Sequence, residues 1–319
     1  AAPVSAGAVK RPNILLVIAD DWGGHASIDG YRWINTLAYD RVVREGVRFN
    51  NCFTSNPKCS PCRASLLTGR NSWQTEEAAC HFGVFPNKWA VYPDVLEQAG
   101  YHVGFTGKGW GPGDFRAGGF KRNPAGPNYS QLKLQPPHRS MGNVDYAANF
   151  AAFLKQRQPG QPFCFWLGTT EPHLGYEDGI GVRAGKKPED VQLPKFYPNH
   201  NTIKSDYLDY AVEVEWFDRH LGLALKHLEE AGELDNTVVV VTSDHGEPFP
   251  RIKGQIYEKG FHVPLAIRWG KNVKAGRTVD DFINIRDLAP TFLQLAGIQP
   301  PPSMTGRSFL DVLKSEKSG

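Results

Sequence analysis

The longest unbroken apolar runs in this chain are short and rich in β-branched residues. One runs from Ile14 to Ala19 and stops at Asp20-Asp21, the pattern of a strand buried on both faces with polar residues at its carboxyl end. Strand-like runs recur at 103–106, 162–168, 237–243 and 264–269. Between them the apolar positions move to helical spacing, over 34–45, 93–99, 144–156, 206–231 and 287–296. Gly100, Gly232 and Gly297 follow three of these stretches, where a glycine commonly closes a helix. Strands alternating with helices predict an α/β fold in which a mostly parallel central sheet is sandwiched by helices. Ligands of such sheets bind beyond the carboxyl ends of the strands. Asp20-Asp21 and Asp244-His245, each directly after a strand, are therefore predicted to be neighbours in space. Two stretches, 110–142 and 175–201, are rich in Gly, Pro and Asn, and loops of that length in a compact domain serve as lids or binding walls.

Composition narrows the function classes. The 319 residues include 18 Phe, 8 Trp and 11 Tyr, enough apolar area to exclude disorder as the main state. No window approaches the roughly 18 uninterrupted apolar residues of a membrane span. Lys and Arg total 36 against 33 Asp and Glu, and the short basic stretches 121–122 and 183–187 make no stripe, which excludes a nucleic-acid protein. Five cysteines cannot all pair within the chain. The chain opens Ala1-Ala2-Pro3, which fits processing or trimming, and it carries no readable signal peptide. Asn128-Tyr129-Ser130 is a glycosylation sequon of the kind that also arises by chance.

Candidate chemistry begins with charge. Asp20, Asp21 and Asp244 at strand ends repel one another unless a cation sits among them, and carboxylate oxygens suit a hard ion such as Ca²⁺ or Mg²⁺, with His245 as a further contact. On its own, Asp20-Asp21 is equally a helix or turn cap. The second signal runs from Cys59 to Arg70. Pro61 suits the first turn of a helix, which places Cys59 at its N-terminus, where free N–H groups and Arg63 favour an anion. One reading of Cys59-x-x-Cys62 is a thiol redox pair. The other is a resemblance: Cys59, Pro61, Arg63, Leu67, Thr68, Gly69 and Arg70 match the signature of the sulfatase family. In that family the first cysteine is oxidised after translation to formylglycine. A soft thiolate is a poor ligand for a hard cation, whereas a hydrated aldehyde offers two oxygens.

The resemblance extends along the chain. Residues 11–21 are similar to the family's opening strand and metal pair, Gly107-Lys108 to its glycine-lysine motif, and Pro172-His173 to its proline-histidine motif. Residues 242–246 resemble the second metal pair, and 253–260 the segment K-G-x-x-Y-E-x-G. Residues 248–250 and 305–310 look most like the heparan N-sulfatase (sulfamidase) branch. The resemblance implies one Ca²⁺ held by Asp20, Asp21, Asp244, His245 and the formylglycine from Cys59. It implies that Arg63 and Lys108 hold the aldehyde hydrate, and that Lys253 and His173 bind the sulfuryl oxygens, one of them protonating the leaving group. It further implies a sulfated carbohydrate as substrate, a formylglycine-generating enzyme as maturation partner, and a secreted, periplasmic or lysosome-like setting.

Three departures qualify it. Trp110 stands where the glycine-lysine motif usually carries a histidine, a gap that His81 is a candidate to fill. The second metal pair is Asp244-His245 where many members have Asp-Asn, which keeps a phosphonate or phosphodiester substrate open. The chain is read as a single catalytic domain over 1–319, without the smaller C-terminal antiparallel subdomain of full sulfatases. With Trp110, that leaves a non-catalytic glycan-binding role as a further alternative.

Overall fold

In a computed structural model of the chain, residues 11–317 are described. Seven strands form one sheet: β1 (Asn13–Ala19), β2 (Val47–Phe53), β3 (His102–Gly107), β4 (Phe163–Gly168), β5 (Thr237–Ser243), β6 (His262–Arg268) and β7 (Arg277–Asn284), in the order β3-β4-β1-β5-β6-β2-β7. Only β6 is reversed, running antiparallel to both β5 and β2. The sheet is flanked by α1 (Leu37–Glu45), α2 (Cys59–Thr68), α3 (Tyr92–Gln98), α4 (Tyr146–Gln156), α5 (Ile180–Arg183), α6 (Asn201–Glu230), α7 (Glu258–Phe261), α8 (Leu288–Leu295) and α9 (Leu310–Lys314). This is the mostly parallel α/β sandwich expected from the alternation of runs. No second sheet forms among the described residues.

The two faces of the sheet divide the core. Ile14, Leu16 and Ile18 of β1 pack with α2, α3 and α8, whereas Leu15, Val17 and Ala19 pack with α4 and α6. Because successive strand residues point to opposite faces, β1 is apolar throughout and all seven of its residues are buried. Two strands went unanticipated. β2 alternates buried and half-exposed positions over a polar sequence, and β7 exposes Asp280, Asp281 and Phe282 at the sheet edge. Both lack the continuous apolar run that marks β1 and β5. Helix α6 begins five residues before the expected 206, since its first turn is a polar stretch capped by His200, whose ring accepts the Thr202 N–H.

The four adjacent parallel strands β3, β4, β1 and β5 all end on the same edge, and the chain beyond each end carries site residues: Lys108, His173, Asp20-Asp21 and Asp244-His245. The C-terminal segment braces α2 from behind. The Thr305 and Gly306 N–H groups both donate to the Gly69 carbonyl, which closes the helix carrying Cys59.

Candidate active site

Each carboxylate is set by the strand that precedes it. The Asp20 N–H donates to the Glu171 carbonyl and the Asp244 N–H to the Ala19 carbonyl, so the chain ends of β4, β1 and β5 are stitched together just past the sheet. Asp21 turns into the left-handed region, at φ +75°, and its N–H donates to Asp244 Oδ1 at 3.1 Å. A non-glycine residue in that conformation costs about 1 kcal/mol, and such strain gathers at functional sites. Asp20, Asp21, Asp244 and His245 are each at most 1% exposed. Ligand atoms of Asp20, Cys59, Asp244 and His245 all lie within 4.8 Å of one another. The predicted neighbourhood of the two pairs is therefore present.

Three cations answer the three carboxylates. Arg63, entirely buried, donates through Nε to Asp244 Oδ2 at 3.0 Å and through one terminal nitrogen to Asp20 Oδ1 at 3.4 Å. Its other terminal nitrogen donates to the carbonyls of Lys108 and Gly109. Lys108 Nζ donates to Asp20, and Lys253 Nζ lies 2.7 and 2.9 Å from the two Asp21 oxygens. Burial raises the Asp20 carboxyl against the pull of Lys108. Burial also opposes the charge of Asp244, yet His245, Arg63 and Lys108 hold it well below the usual carboxylate range.

Cys59 opens α2 as expected, and its Sγ lies 3.4 Å from His245 Nε2. Burial, then the Asp20 and Asp244 carboxylates, push its thiol far up, and burial does the same to Cys62. A redox pair needs a depressed thiol pKa, so this environment disfavours the redox reading. All five cysteines are unpaired.

His245 supplies the test of whether a cation fits. Its Nδ1 lies 3.0 Å from the Gly246 carbonyl, which can only accept, so Nδ1 carries the hydrogen. Nε2 then faces Asp21 Oδ1 at 3.1 Å and Asp244 Oδ1 at 3.6 Å: a protonated ring donates to these oxygens, whereas a neutral one sets its lone pair against them. A lone pair set against carboxylate oxygens is repulsive unless a cation lies between, and this tautomer is the one a metal-binding imidazole adopts. The donor set, mostly hard oxygens, fits Ca²⁺ or Mg²⁺.

A cavity of about 750 Å³ opens beside the cluster, lined by Asp20, Cys59, Lys108 and His173 among others. His173 stands at its mouth, 43% exposed, with Nδ1 held by the Leu174 carbonyl and Nε2 3.9 Å from Asp21 Oδ2. Lys108 reaches the cavity because Gly107 turns the chain at φ +69°, where a Cβ would stand 2.1 Å from the Gly168 carbonyl oxygen. Neither Arg63 nor Lys253 lines the cavity; both stand behind the carboxylates they hold.

The loop expected to form a wall does so. Trp110 is buried, its indole N–H donates to the Ser60 carbonyl at 3.0 Å, and its ring packs on Phe85. The residue replacing the expected histidine thus pins the first turn of α2. His81 lines the same cavity, its Nε2 is buried without a partner, and burial followed by Lys58 and Lys253 pushes it down to about 4. Phe82, 73% exposed at φ +65°, forms an aromatic lip beside it. Glu213 on this cavity's wall was missed by sequence reasoning, since a carboxylate within a long helix carries no motif, whereas Glu171, also on the wall, belongs to the Glu171-Pro172-His173 motif in the turn after β4.

The structure thus sets an acidic, cation-ready cluster and a helix-borne cysteine past the carboxyl edge of a mostly parallel sheet. The sulfatase family model matches residues 12–298. The chain belongs to the sulfatase family, and its class is that of the sulfuric-ester and sulfamate hydrolases. It is 31% identical to human N-sulphoglucosamine sulphohydrolase, over 96% of this chain and 67% of that one. It is 26% identical to the N-acetylglucosamine-6-O-sulfatase of Bacteroides thetaiotaomicron, over 96% and 72%, and 28% identical to an ulvan-active sulfatase of Formosa agariphila, over 96% and 58%. Among solved structures, a protein in complex with its substrate D-glucosamine-2-N,6-O-disulfate superposes with a TM-score of 0.72 at 25% identity, covering 97% of this chain and 81% of that one. The phosphonate monoester hydrolase of Agrobacterium radiobacter shares the fold, with a TM-score of 0.72 at 19% identity over 97% and 79%.

Proposed function

We propose that this protein releases sulfate from a sulfated carbohydrate of the glucosamine type, using a formylglycine made from Cys59 by a maturation enzyme and one bound Ca²⁺. The observation that carries the reading is the meeting of Cys59, at the head of α2, with Asp20, Asp21, Asp244 and His245, where Cys59 and Asp20 line the floor of an open cavity. The names of the glucosamine-sulfate relatives support the substrate class. An aromatic lip at Phe82 and polar walls suit a sugar, which presents an apolar face and a rim of hydroxyls. Among the described residues no helix is long and apolar enough to cross a membrane, and the extracellular sulfatase homologue of Drosophila melanogaster supports a secreted, periplasmic or lysosome-like setting.

The cation, held by Asp20, Asp21, Asp244, His245 and residue 59, would supply polarisation of an oxygen ligand and neutralisation of the sulfuryl charge. A formylglycine would supply a geminal diol, one hydroxyl to attack sulfur and a second whose deprotonation expels sulfate. The chain's own groups divide the remaining work. Arg63 fixes the Asp20 and Asp244 carboxylates and ties α2 to the end of β3, so it positions the site from behind. Lys108 brings positive charge to the cavity beside residue 59, and Lys253 steadies Asp21. His173, with Nδ1–H fixed on Leu174, directs Nε2 into the mouth; in its imidazolium form it gives the Nε2 proton to the departing oxygen or nitrogen and regains one from water afterwards. Trp110 makes an apolar floor, and the unpartnered His81 Nε2 is available to an oxygen on residue 59 or on the substrate.

Two measurements test this. The mass of the tryptic peptide 59–63 from protein matured in its native host should show an aldehyde in place of the thiol, and Cys59→Ala should abolish sulfate release. An intact thiol in active protein, or activity surviving in the variant, would overturn the mechanism. The second reading, a phosphonate or phosphodiester hydrolase, draws on His245 and the shared fold. A large excess of phosphonate over sulfate ester turnover would establish it instead.

A further inference from the structure

The wall of the cavity away from the acidic floor carries a carboxyl that the mechanism above does not use. Glu213 sits in the middle of α6, is 2% exposed and lines the cavity. Its Oε1 accepts from the Ser140 hydroxyl at 2.7 Å, and Oε2 has no hydrogen-bond partner among the described residues. Among the described residues no lysine or arginine is paired with it. Glu171 nearby is different: Oε1 accepts from the Gly142 N–H and the Thr170 hydroxyl, and Oε2 from the Tyr146 hydroxyl, so its acceptors are filled by the fold. Burial pushes the Glu213 carboxyl up to about 7, with the neighbouring Glu171 adding to the effect. A buried carboxyl with open acceptor capacity is costly unless a ligand supplies a donor.

We infer that Glu213, oriented by Ser140, selects the substrate: it takes a hydrogen-bond donor of the sugar, a hydroxyl or an ammonium, and rejects a second sulfate or a carboxylate at that place. This rests on the sulfated-sugar reading and deepens it. The floor, with Lys108 and the proposed cation, attracts one anionic group, whereas the Glu213 wall repels another once its carboxyl is ionised, above about pH 7. The pocket therefore fits a sugar carrying its charge at one end and a donor at the other.

The test is equilibrium binding by calorimetry at about pH 8, where Glu213 is ionised, in a Cys59→Ala background, which leaves the sugar intact, with sulfate release by the unsubstituted protein measured in parallel. The probes are a monosulfated glucosamine, the matching monosulfated glucose and glucosamine-2-N,6-O-disulfate. The monosulfated glucosamine should bind at least about tenfold tighter than the disulfate, and Glu213→Gln, which keeps shape and the Ser140 contact, should erase most of that preference. Ser140→Ala should shift the ratio in the same direction, and it stands in if Glu213→Gln does not fold. A preference for glucosamine over glucose that disappears in Glu213→Gln assigns the ammonium; equal binding of the two assigns the hydroxyl. Binding of the disulfate as tight as that of the monosulfate, an unchanged ratio in a Glu213→Gln protein that melts like its parent, or no binding of any probe overturns the inference. Absence of sulfate release alongside the expected binding ratios would overturn the catalytic reading and leave this one standing.

Discussion

At the scale of single residues, the site rests on Arg63. All of its described hydrogen bonds go to Asp20, Asp244 and the carbonyls of Lys108 and Gly109, its guanidinium lies over the Trp166 ring, and it does not line the cavity. Replacing it by alanine leaves two buried carboxylates short of a partner, a change that typically costs about 3–5 kcal/mol. Arg63→Lys keeps the charge and loses the forked geometry, so it should fall between. Because Asp244 is held below its unfolded value of 3.8, its stabilising contribution is present above that pH and is lost as pH falls through the depressed folded value. The deficit of Arg63→Ala, measured by urea unfolding, should accordingly be largest near neutrality and narrow below about pH 4. A deficit under about 1 kcal/mol at pH 7 would show that the carboxylates do not depend on this guanidinium.

At the scale of elements, what could be read in advance follows from how continuous each signal is. β1, β4 and β5 are buried on both faces and stand out as apolar runs, and the residues just past β1 and β5 proved to be neighbours. β2 and β7 pair with each other near the sheet edge, and their burial depends on β6 and the C-terminal segment, which no local pattern records. Lys253 and Arg63 were legible as site residues through their motifs, but their place behind the carboxylates depends on packing. Glu213 was illegible because its function depends on which face of α6 the cavity meets. That helix makes a further prediction through His220. Its ring is buried against Tyr146 and Trp216, Nδ1 accepts the Ala147 N–H at the start of α4, and Nε2 has no partner. Burial pushes it down to about 4 from an unfolded value of 6.5. Below 6.5 the unfolded chain takes up a proton that the folded one refuses, so stability is lost as pH falls from 6.5 towards 4. His220→Gln should flatten the pH dependence of the melting temperature across that window, and an unchanged slope would assign it to other groups.

At the scale of the whole molecule, the site is a clasp across distant parts of the chain. Asp20 and Asp21 follow β1, Cys59 heads α2, and Asp244 and His245 follow β5, while the Asp21 N–H contact to Asp244 and the Arg63 contacts already join them. A hard cation bound there would hold strand ends that are far apart in the unfolded chain, so it would bind the folded state alone. Free ion at a hundred times its dissociation constant then adds about 2.7 kcal/mol to stability. With an unfolding entropy of about 2.1 cal/mol/K per residue, each kcal/mol moves the melting temperature of a 319-residue chain by about 1.5 °C. Melting in excess Ca²⁺ should therefore exceed melting in a chelator by about 4 °C. The shift should vanish in Asp244→Asn, which weakens the central ligand without touching the surface. Exposed carboxylates such as Asp280 and Asp281 bind cations only weakly and would give a small shift that the substitution leaves intact. A full shift surviving in Asp244→Asn would move the ion to another place, and no shift in either protein would mean that Arg63, Lys108 and Lys253 alone neutralise the cluster.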